Sequence, residues 1–207
     1  MFLKICYLTI QPVGFLKKPM RKNRYESILK VATNFIAKKG YRGTSFQEIA
    51  DEVGLHKSSL FHYFKNKEEI LLKILEKPIG EVNVKLAKII ISHELKPEEK
   101  LKKAIDNHLT LLTEYIDIVN IYLNETKSLS KKNQLTYLEK RKGYEKDFKK
   151  IIEELKTKGY FKGLDPKIVT FGLLGMLNWV VKWYKKGGPL EVKEIANNFY
   201  KILRVEK

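Results

Sequence analysis

The sequence predicts an all-α protein of about nine helices, a small N-terminal head of three helices containing a helix-turn-helix and a larger C-terminal helical bundle. Three observations predict it. Apolar residues recur at three-and-four spacing from residue 21 onward. Beyond residue 95 no stretch alternates apolar and polar side chains as a half-buried strand would, and the few turn residues fall between the periodic segments.

Residues 1–20 hold a short apolar stretch and then Pro12, Gly14 and Pro19, without the basic start, long apolar region and small-residue cleavage site of a signal peptide. They read as a poorly ordered arm or a mis-assigned start, with Met20 as the alternative initiator. From Arg21, the apolar face Tyr25, Ile28, Leu29, Ala32, Phe35 and Ile36 makes the first helix, and Gly40 supplies a left-handed stop. Thr44 with Gln47 reads as a capping box opening a second helix that ends before Gly54. A third covers about 56–63, and Asn66 with Glu69 opens a fourth, carried by Ile70, Leu71, Ile74 and Leu75 until Pro78 kinks or breaks it. Pro97 sits where a first-turn proline belongs, opening a helix through Leu101, Ile105, Leu109 and Leu112. Further helices are expected over about 116–127, 130–158, 165–185 and 190–204.

A helix-turn-helix needs a small residue where two helices cross, a glycine four residues later for the turn, and apolar residues that lock the pair. Ala50, Gly54, Ile49, Val53, Leu55, Leu60 and Tyr63 satisfy that pattern. The second helix then offers His56, Lys57, Ser58, Ser59 and His62 to base edges and phosphates.

Composition narrows the function classes. The chain has 207 residues, 43% apolar and 31% charged, an ordinary soluble composition. No apolar run approaches the ~20 residues of a membrane span. The single Cys6 excludes an internal disulfide and fits a reducing, cytoplasmic setting. The net charge of +17 is mostly lysine and spread along the chain, so it indicates either a polyanionic partner or a compositional bias. His56, His62, His93 and His108 form no metal-ligand pairing, and no glycine-rich phosphate loop or catalytic constellation is present, so neither an enzyme, a metal site nor a cofactor is expected. A basic helical protein on anionic membrane would account for the charge but not for Ala50, Gly54 and the caps.

The stretches 40–50 (Gly-Tyr-Arg-Gly-Thr-Ser-Phe-Gln-Glu-Ile-Ala) and 54–70 (Gly-Leu-His-Lys-Ser-Ser-Leu-Phe-His-Tyr-Phe-Lys-Asn-Lys-Glu-Glu-Ile) resemble the signature of the tetracycline-repressor (TetR) family. That resemblance implies an all-helical, homodimeric transcriptional regulator that binds double-stranded operator DNA. It places Thr44, Tyr63 and Lys67 at phosphate-contacting positions, gives base reading to Lys57 and its neighbours, and brings Arg42 and Ser45 into the DNA-binding set. For Lys67 physical reasoning agrees, since its charge sits in a first turn beside free backbone N–H groups. The chain departs from the family pattern at His56, where a hydroxyl cap is common, at Ser58, where glycine is common, and at Phe61, where tyrosine is common; Phe61 therefore carries no polar role. His56 either caps the recognition helix through its ring or is an exposed side chain without a role.

A second resemblance covers Tyr122-Leu123-Asn124-Glu125, Ser128-Leu129-Ser130, residues 141–148, Gly175-Met176-Leu177-Asn178-Trp179, Trp183-Tyr184 and residues 187–199. These are similar to the ligand domain of the family's acyl-CoA-responsive branch, associated with fatty-acid or sterol-derived catabolism. The resemblance implies a hydrophobic effector, best a long-chain acyl-CoA, in a pocket lined by Tyr122, Tyr144, Phe148, Phe171, Asn178, Trp179 and Trp183, with Arg141 or Lys182 meeting CoA phosphates. By residue type alone those aromatics fit core packing as well as a pocket. A different hydrophobic ligand, such as an efflux substrate, is the alternative effector. The helix over 168–184 is apolar around most of its circumference, and Gly172 and Gly175 permit close helix approach. It is expected to form a homodimer interface together with the helix over 190–204. Residues 1–20, 21–66 and 67–207 are thus expected to be arm, DNA-binding domain and ligand-binding and dimerisation domain.

Overall fold

The computed structural model describes residues 17–203, which form nine α-helices and no strand. The order is α1 (Lys17–Lys39), α2 (Phe46–Glu52), α3 (Lys57–Leu60), α4 (Lys67–Ile91), α5 (Pro97–Glu114), α6 (Ile116–Glu125), α7 (Lys131–Thr157), α8 (Pro166–Trp179) and α9 (Val192–Ile202). Single 3-10 turns follow α6 (Thr126–Ser128) and α8 (Val180–Lys182). The arm expected over 1–20 lies mostly outside the described residues, but its end does not: α1 reaches back to Lys17. Pro19 is tolerated there because first-turn N–H groups have no intrahelical partner to lose.

Two apolar cores organise the chain. The first joins Ile28, Ala32 and Ile36 of α1, Ile49 and Ala50 of α2, Leu60 and Phe64 around α3, and Ile70, Leu71, Ile74 and Leu75 of α4, and it is closed by Ile118 and Ile121 of α6 with Leu129 and Tyr137. The second joins Val82 and Leu86 of α4, Leu101, Ile105 and Leu109 of α5, Phe148, Ile151 and Ile152 of α7, Leu173 and Leu177 of α8, and Ile195 and Tyr200 of α9. Each large side chain taken fully from water contributes roughly 1.5–3 kcal/mol.

That arrangement corrects the expectation at Pro78. The residue lies inside an unbroken 25-residue α4, between the stretch that enters the first core and the stretch that enters the second. A mid-helix proline costs about 3 kcal/mol, and burial of Leu75, Val82 and Leu86 on its two sides more than offsets that. The helix expected over 165–185 is also shorter, because α8 ends at Trp179 and tightens into a 3-10 turn.

The cap of α2 is shifted by one residue from the expected Thr44–Gln47 box. Ser45 is the N-cap: its hydroxyl accepts from the Glu48 N–H at 3.0 Å, and the Glu48 carboxylate accepts from the Ser45 N–H at 2.8 Å. Thr44 is instead buried and donates its hydroxyl to the Gly40 carbonyl at 3.0 Å, while Gln47 faces outward and donates to Asp51. The two candidate boxes differ by one position, and the inward turn of Thr44 selects between them. At the other end of α2, Gly54 adopts φ +66°, its N–H donates to the Asp51 carbonyl at 3.0 Å, and the Leu55 N–H donates to the Ala50 carbonyl at 2.8 Å. This paired reversal ends the helix and turns the chain into α3. Arg24 of α1 donates to the Val53 carbonyl at 2.7 Å, fixing the turn against the head.

Ser45→Ala is expected to cost about 1 kcal/mol of stability, whereas Gln47→Ala stays within about 0.5 kcal/mol; chemical denaturation of both variants checks the assignment. Hydrogen bonds from Lys39 first, and from Ser45 next, hold the Glu48 carboxyl down at about 2, below its ordinary 4.5. A depressed carboxylate stabilises the fold fully above its unfolded value and loses that effect as pH falls toward the folded one. Glu48→Gln should therefore flatten the acid limb of the stability curve between about 4.5 and about 2.

Candidate functional site: a nucleic-acid interface and an apolar cavity

The residues expected to meet DNA fall into an exposed and an inward-facing group. Arg42, Ser45, His56, Lys57, Ser58 and His62 are exposed, Ser59, Tyr63 and Lys67 are half-buried, and Thr44 is buried. α3 is one turn of α-helix prolonged by the bonds His62 N–H to Ser59 and Tyr63 N–H to Leu60. Its inner side is anchored by Leu60 and Phe64, so His56, Lys57, Ser58 and His62 remain on the solvent side. His56 occupies the N-cap position without a side-chain capping bond, which leaves its imidazole out of the helix end. Phe61, half-exposed, packs on Phe46 with ring centroids 4.8 Å apart.

Lys67 has a role the sequence reading did not give it. Its ammonium donates to the Tyr41 carbonyl at 2.8 Å and the Thr44 carbonyl at 2.7 Å, and lies 4.2 Å from the centre of the Tyr41 ring. Burial lowers its pKa, while Glu125 and Glu48 oppose that shift. Two of three N–H donors thus tie the segment between α1 and α2 to the start of α4, leaving one for a phosphate. Glu125, at the end of α6, holds the same segment from the other side. Its carboxylate accepts from the Tyr41 N–H at 3.0 Å and from the Ser128 hydroxyl at 3.0 Å. Gly40 turns there at φ +76°, and a Cβ on it would stand 3.0 Å from that carboxylate oxygen, so only glycine both turns and admits the contact. Glu68 makes a third tie, accepting from the Ser130 N–H at 2.7 Å and the Asn133 side-chain amide at 2.6 Å. The Ser130 bonds hold its carboxyl below the usual range.

A cavity of about 470 Å³ opens where α4 to α8 converge. Most of its wall is apolar, from Pro78, Ile79 and Val82 of α4, Leu111 and Leu112 of α5, Val119 and Leu123 of α6, and Leu174 of α8. Of the expected pocket residues, Tyr122, Tyr144, Phe171 and Asn178 line it; Phe148, Trp179 and Trp183 do not. Phe171, Leu174, Gly175 and Asn178 share one face of α8, which turns the neighbouring Trp179 outward, 64% exposed. The 3-10 turn then leaves Trp183 exposed as well. Phe148 lies one helical turn beyond Tyr144, fully buried in the second core, with the two rings meeting edge-on at 5.8 Å.

Arg141 lines the cavity, whereas Lys182 is exposed and lies outside it. The Arg141 guanidinium donates to the Tyr122 hydroxyl and pairs with Glu145 at 3.3 Å, so its charge is already balanced at the wall. His108 is the lining residue that sequence reasoning missed. Its Nδ1 lies 2.8 Å from the Tyr144 hydroxyl oxygen. Burial holds its imidazole down at about 4, against the opposing influence of Asn178, and burial pushes the Tyr144 phenol up. Both groups are therefore neutral near pH 7. The available signal was position: His108 stands three residues after Ile105 and four before Leu112, on the apolar face of α5.

The interface expected over 165–185 and 190–204 carries exposed apolar side chains: Ile168 and Trp179 of α8 are 67% and 64% exposed, and Ile202 of α9 is 61% exposed. Among the described residues no cluster of His, Cys, Asp and Glu could hold a metal ion, and no helix is long and apolar enough to cross a membrane.

Two family models match the chain. One, described as bacterial regulatory proteins of the tetR family, covers residues 28–74, and the other, a tetracyclin repressor-like C-terminal domain, covers residues 94–205. The transcriptional repressor KstR2 of Mycolicibacterium smegmatis is 29% identical over 184 residues, spanning 87% of this chain and 89% of its own. The fatty acid metabolism regulator protein of Bacillus subtilis is 24% identical over 185 residues, spanning 88% and 95%. The crystal structure of AibR in complex with isovaleryl coenzyme A and operator DNA superposes with a TM-score of 0.75 at 28% identity, covering 86% of this chain and 97% of that one.

The Glu125 contact predicts a local effect. A hydrogen bond to a charged acceptor is worth about 1.5–3 kcal/mol, so Glu125→Ala should speed hydrogen exchange at the Tyr41 amide by ten-fold or more, with Glu125→Gln intermediate; exchange measured by mass spectrometry or NMR reads it directly.

Proposed function

That the chain belongs to the tetracycline-repressor (TetR) family of bacterial regulatory proteins is the premise, and from it we propose that it is a sequence-specific DNA-binding transcriptional regulator, a repressor whose operator binding is relieved by a hydrophobic effector, best a long-chain acyl-CoA. It acts in the cytoplasm as a homodimer. Residues 21–66 form the DNA-binding unit and residues 67–207 the ligand-binding and dimerisation unit. In each protomer Arg42, Ser45, His56, Lys57, Ser58, Ser59, His62 and Tyr63 present the reading surface, and Lys67 and Thr44 fix the segment that carries it. Two such surfaces about one helical turn of DNA apart require a two-fold partner, and the exposed apolar side chains of α8 and α9 supply a face that water disfavours.

One observation carries the effector half: the cavity borders the same two helices, α4 and α6, whose ends bear Lys67 and Glu125. Tyr122 in the cavity wall is one turn from Glu125, so an effector that moves α6 acts on the Tyr41 segment. A coupling of roughly 1–3 kcal/mol is enough to change operator occupancy several-fold or more. The likeness to AibR, solved with isovaleryl coenzyme A, and to a fatty acid metabolism regulator supports an acyl-CoA. The volume lies within the roughly 300–1,000 Å³ of small-molecule pockets and suits the acyl part, with the CoA phosphates outside. A neutral hydrophobic effector without CoA is the second reading, favoured by the pairing of Arg141 with Glu145, which leaves the wall no excess positive charge.

Fluorescence anisotropy on the DNA upstream of the protein's own gene, against random duplex and with long-chain acyl-CoA added, tests both halves. Specific binding that acyl-CoA weakens is expected; specific binding that it leaves unchanged removes acyl-CoA, and only nonspecific, salt-sensitive binding removes the regulator. In the same assay Lys57→Ala should lose about tenfold in discrimination between operator and random DNA, while Lys67→Ala should weaken binding to both and flatten the salt slope by about one unit. Equal losses on both DNAs for Lys57→Ala would contradict its base-reading role.

A further inference from the structure

Among apolar walls, the His108–Tyr144 pair is the chemical exception. The two side chains meet at 2.8 Å, and His108 Nε2 is buried without a hydrogen-bond partner. Asn178 lines the cavity beside the imidazole. With a neutral imidazole and a protonated phenol, two proton arrangements are open. If Tyr144 donates to Nδ1, the ring proton sits on Nε2 and one donor is left unmatched; if Nδ1–H donates to Tyr144, both the phenol proton and the Nε2 lone pair are left unmatched. The first leaves fewer buried polar groups unsatisfied and is the lower in free energy. Tyr144 thereby fixes the tautomer, and Nε2–H is a donor awaiting an acceptor.

Resting on the reading of the cavity as the effector site, we infer that His108 recognises a carbonyl oxygen borne by an otherwise apolar effector, with Tyr144 as the positioning residue that keeps the His108 donor turned to it. The pair makes the cavity selective for acyl or keto compounds over hydrocarbon chains of the same length. The carbonyl is either that of a thioester or one farther along the chain, and the same donor serves both.

Isothermal titration calorimetry of the full chain tests this with three probes: dodecanoyl-CoA, its thioether analogue S-dodecyl-CoA without a carbonyl, and S-dodecyl-CoA carrying a mid-chain ketone. The wild-type protein should bind one of the two carbonyl compounds about tenfold more tightly than S-dodecyl-CoA. A preference for dodecanoyl-CoA assigns the contact to the thioester, and a preference for the ketone assigns it to the chain. His108→Leu should reduce the ratio to about one without weakening S-dodecyl-CoA. Tyr144→Phe, which frees the tautomer but keeps the ring, should give an intermediate ratio. Equal wild-type affinity for all three probes overturns the inference, as does a His108→Leu or Tyr144→Phe protein that weakens all probes alike, the behaviour of residues that only shape the wall. The cavity reading has a separate control. Gly175 lines the cavity and a Cβ there meets nothing within 4 Å, so Gly175→Trp can fill the space; unchanged binding in that variant places the probes elsewhere and removes both readings.

Discussion

The fold depends on one helix serving two cores. α4 gives Ile70 to Leu75 to the head and Val82 and Leu86 to the bundle, and the cavity touches it between those stretches, at Pro78 and Ile79. An α-helix carries displacement along its axis because each peptide group is bonded one turn away. A change at the cavity wall is therefore felt at the first turn of the same helix, where Lys67 and Glu68 hold the head segment and the start of α7. Pro78 sits where the helix passes from one core to the other. The lost backbone bond leaves a point of lower resistance beside the cavity, with firm packing on either side.

The second constraint is electrostatic and local. The chain carries a large positive excess, yet at the junction of head and bundle each contact pairs a charge with backbone dipoles or polar side chains: Lys67 with two carbonyls, Glu125 with an N–H and a hydroxyl, Glu68 with an N–H and an amide. Such bonds are about twice as strong as neutral ones and directional, which defines the angle between head and bundle. The excess lysines lie mostly on solvated faces, where ion pairs such as Lys39–Glu48 and Lys149–Glu153 are worth little individually.

Helix number, helix faces and the turn at Gly54 were legible in the sequence, because they rest on local periodicity and on one backbone conformation. The resemblance likewise placed Tyr122, Tyr144, Phe171 and Asn178 where the cavity wall runs. What was not legible depends on distant partners. Thr44 and Ser45 are both plausible caps, and only the inward bond of Thr44 to Gly40, with Lys67 closing on its carbonyl, makes Ser45 the cap. Glu125 and Tyr41 lie 84 residues apart, and nothing around either announces the other. Trp179 and Trp183 were misplaced because a full-length α8 was assumed, and a shift from 3.6 to about 3 residues per turn rotates the residues beyond it.

That outward rotation has a spectroscopic consequence. The chain has two tryptophans, and both stand on the exposed end of α8 or just beyond it, away from the cavity. Indole emission shifts to shorter wavelength when water is removed from the ring. In this protein it is therefore a gauge of whether the α8 face is covered, and it is blind to what fills the cavity unless filling the cavity also changes how two chains meet.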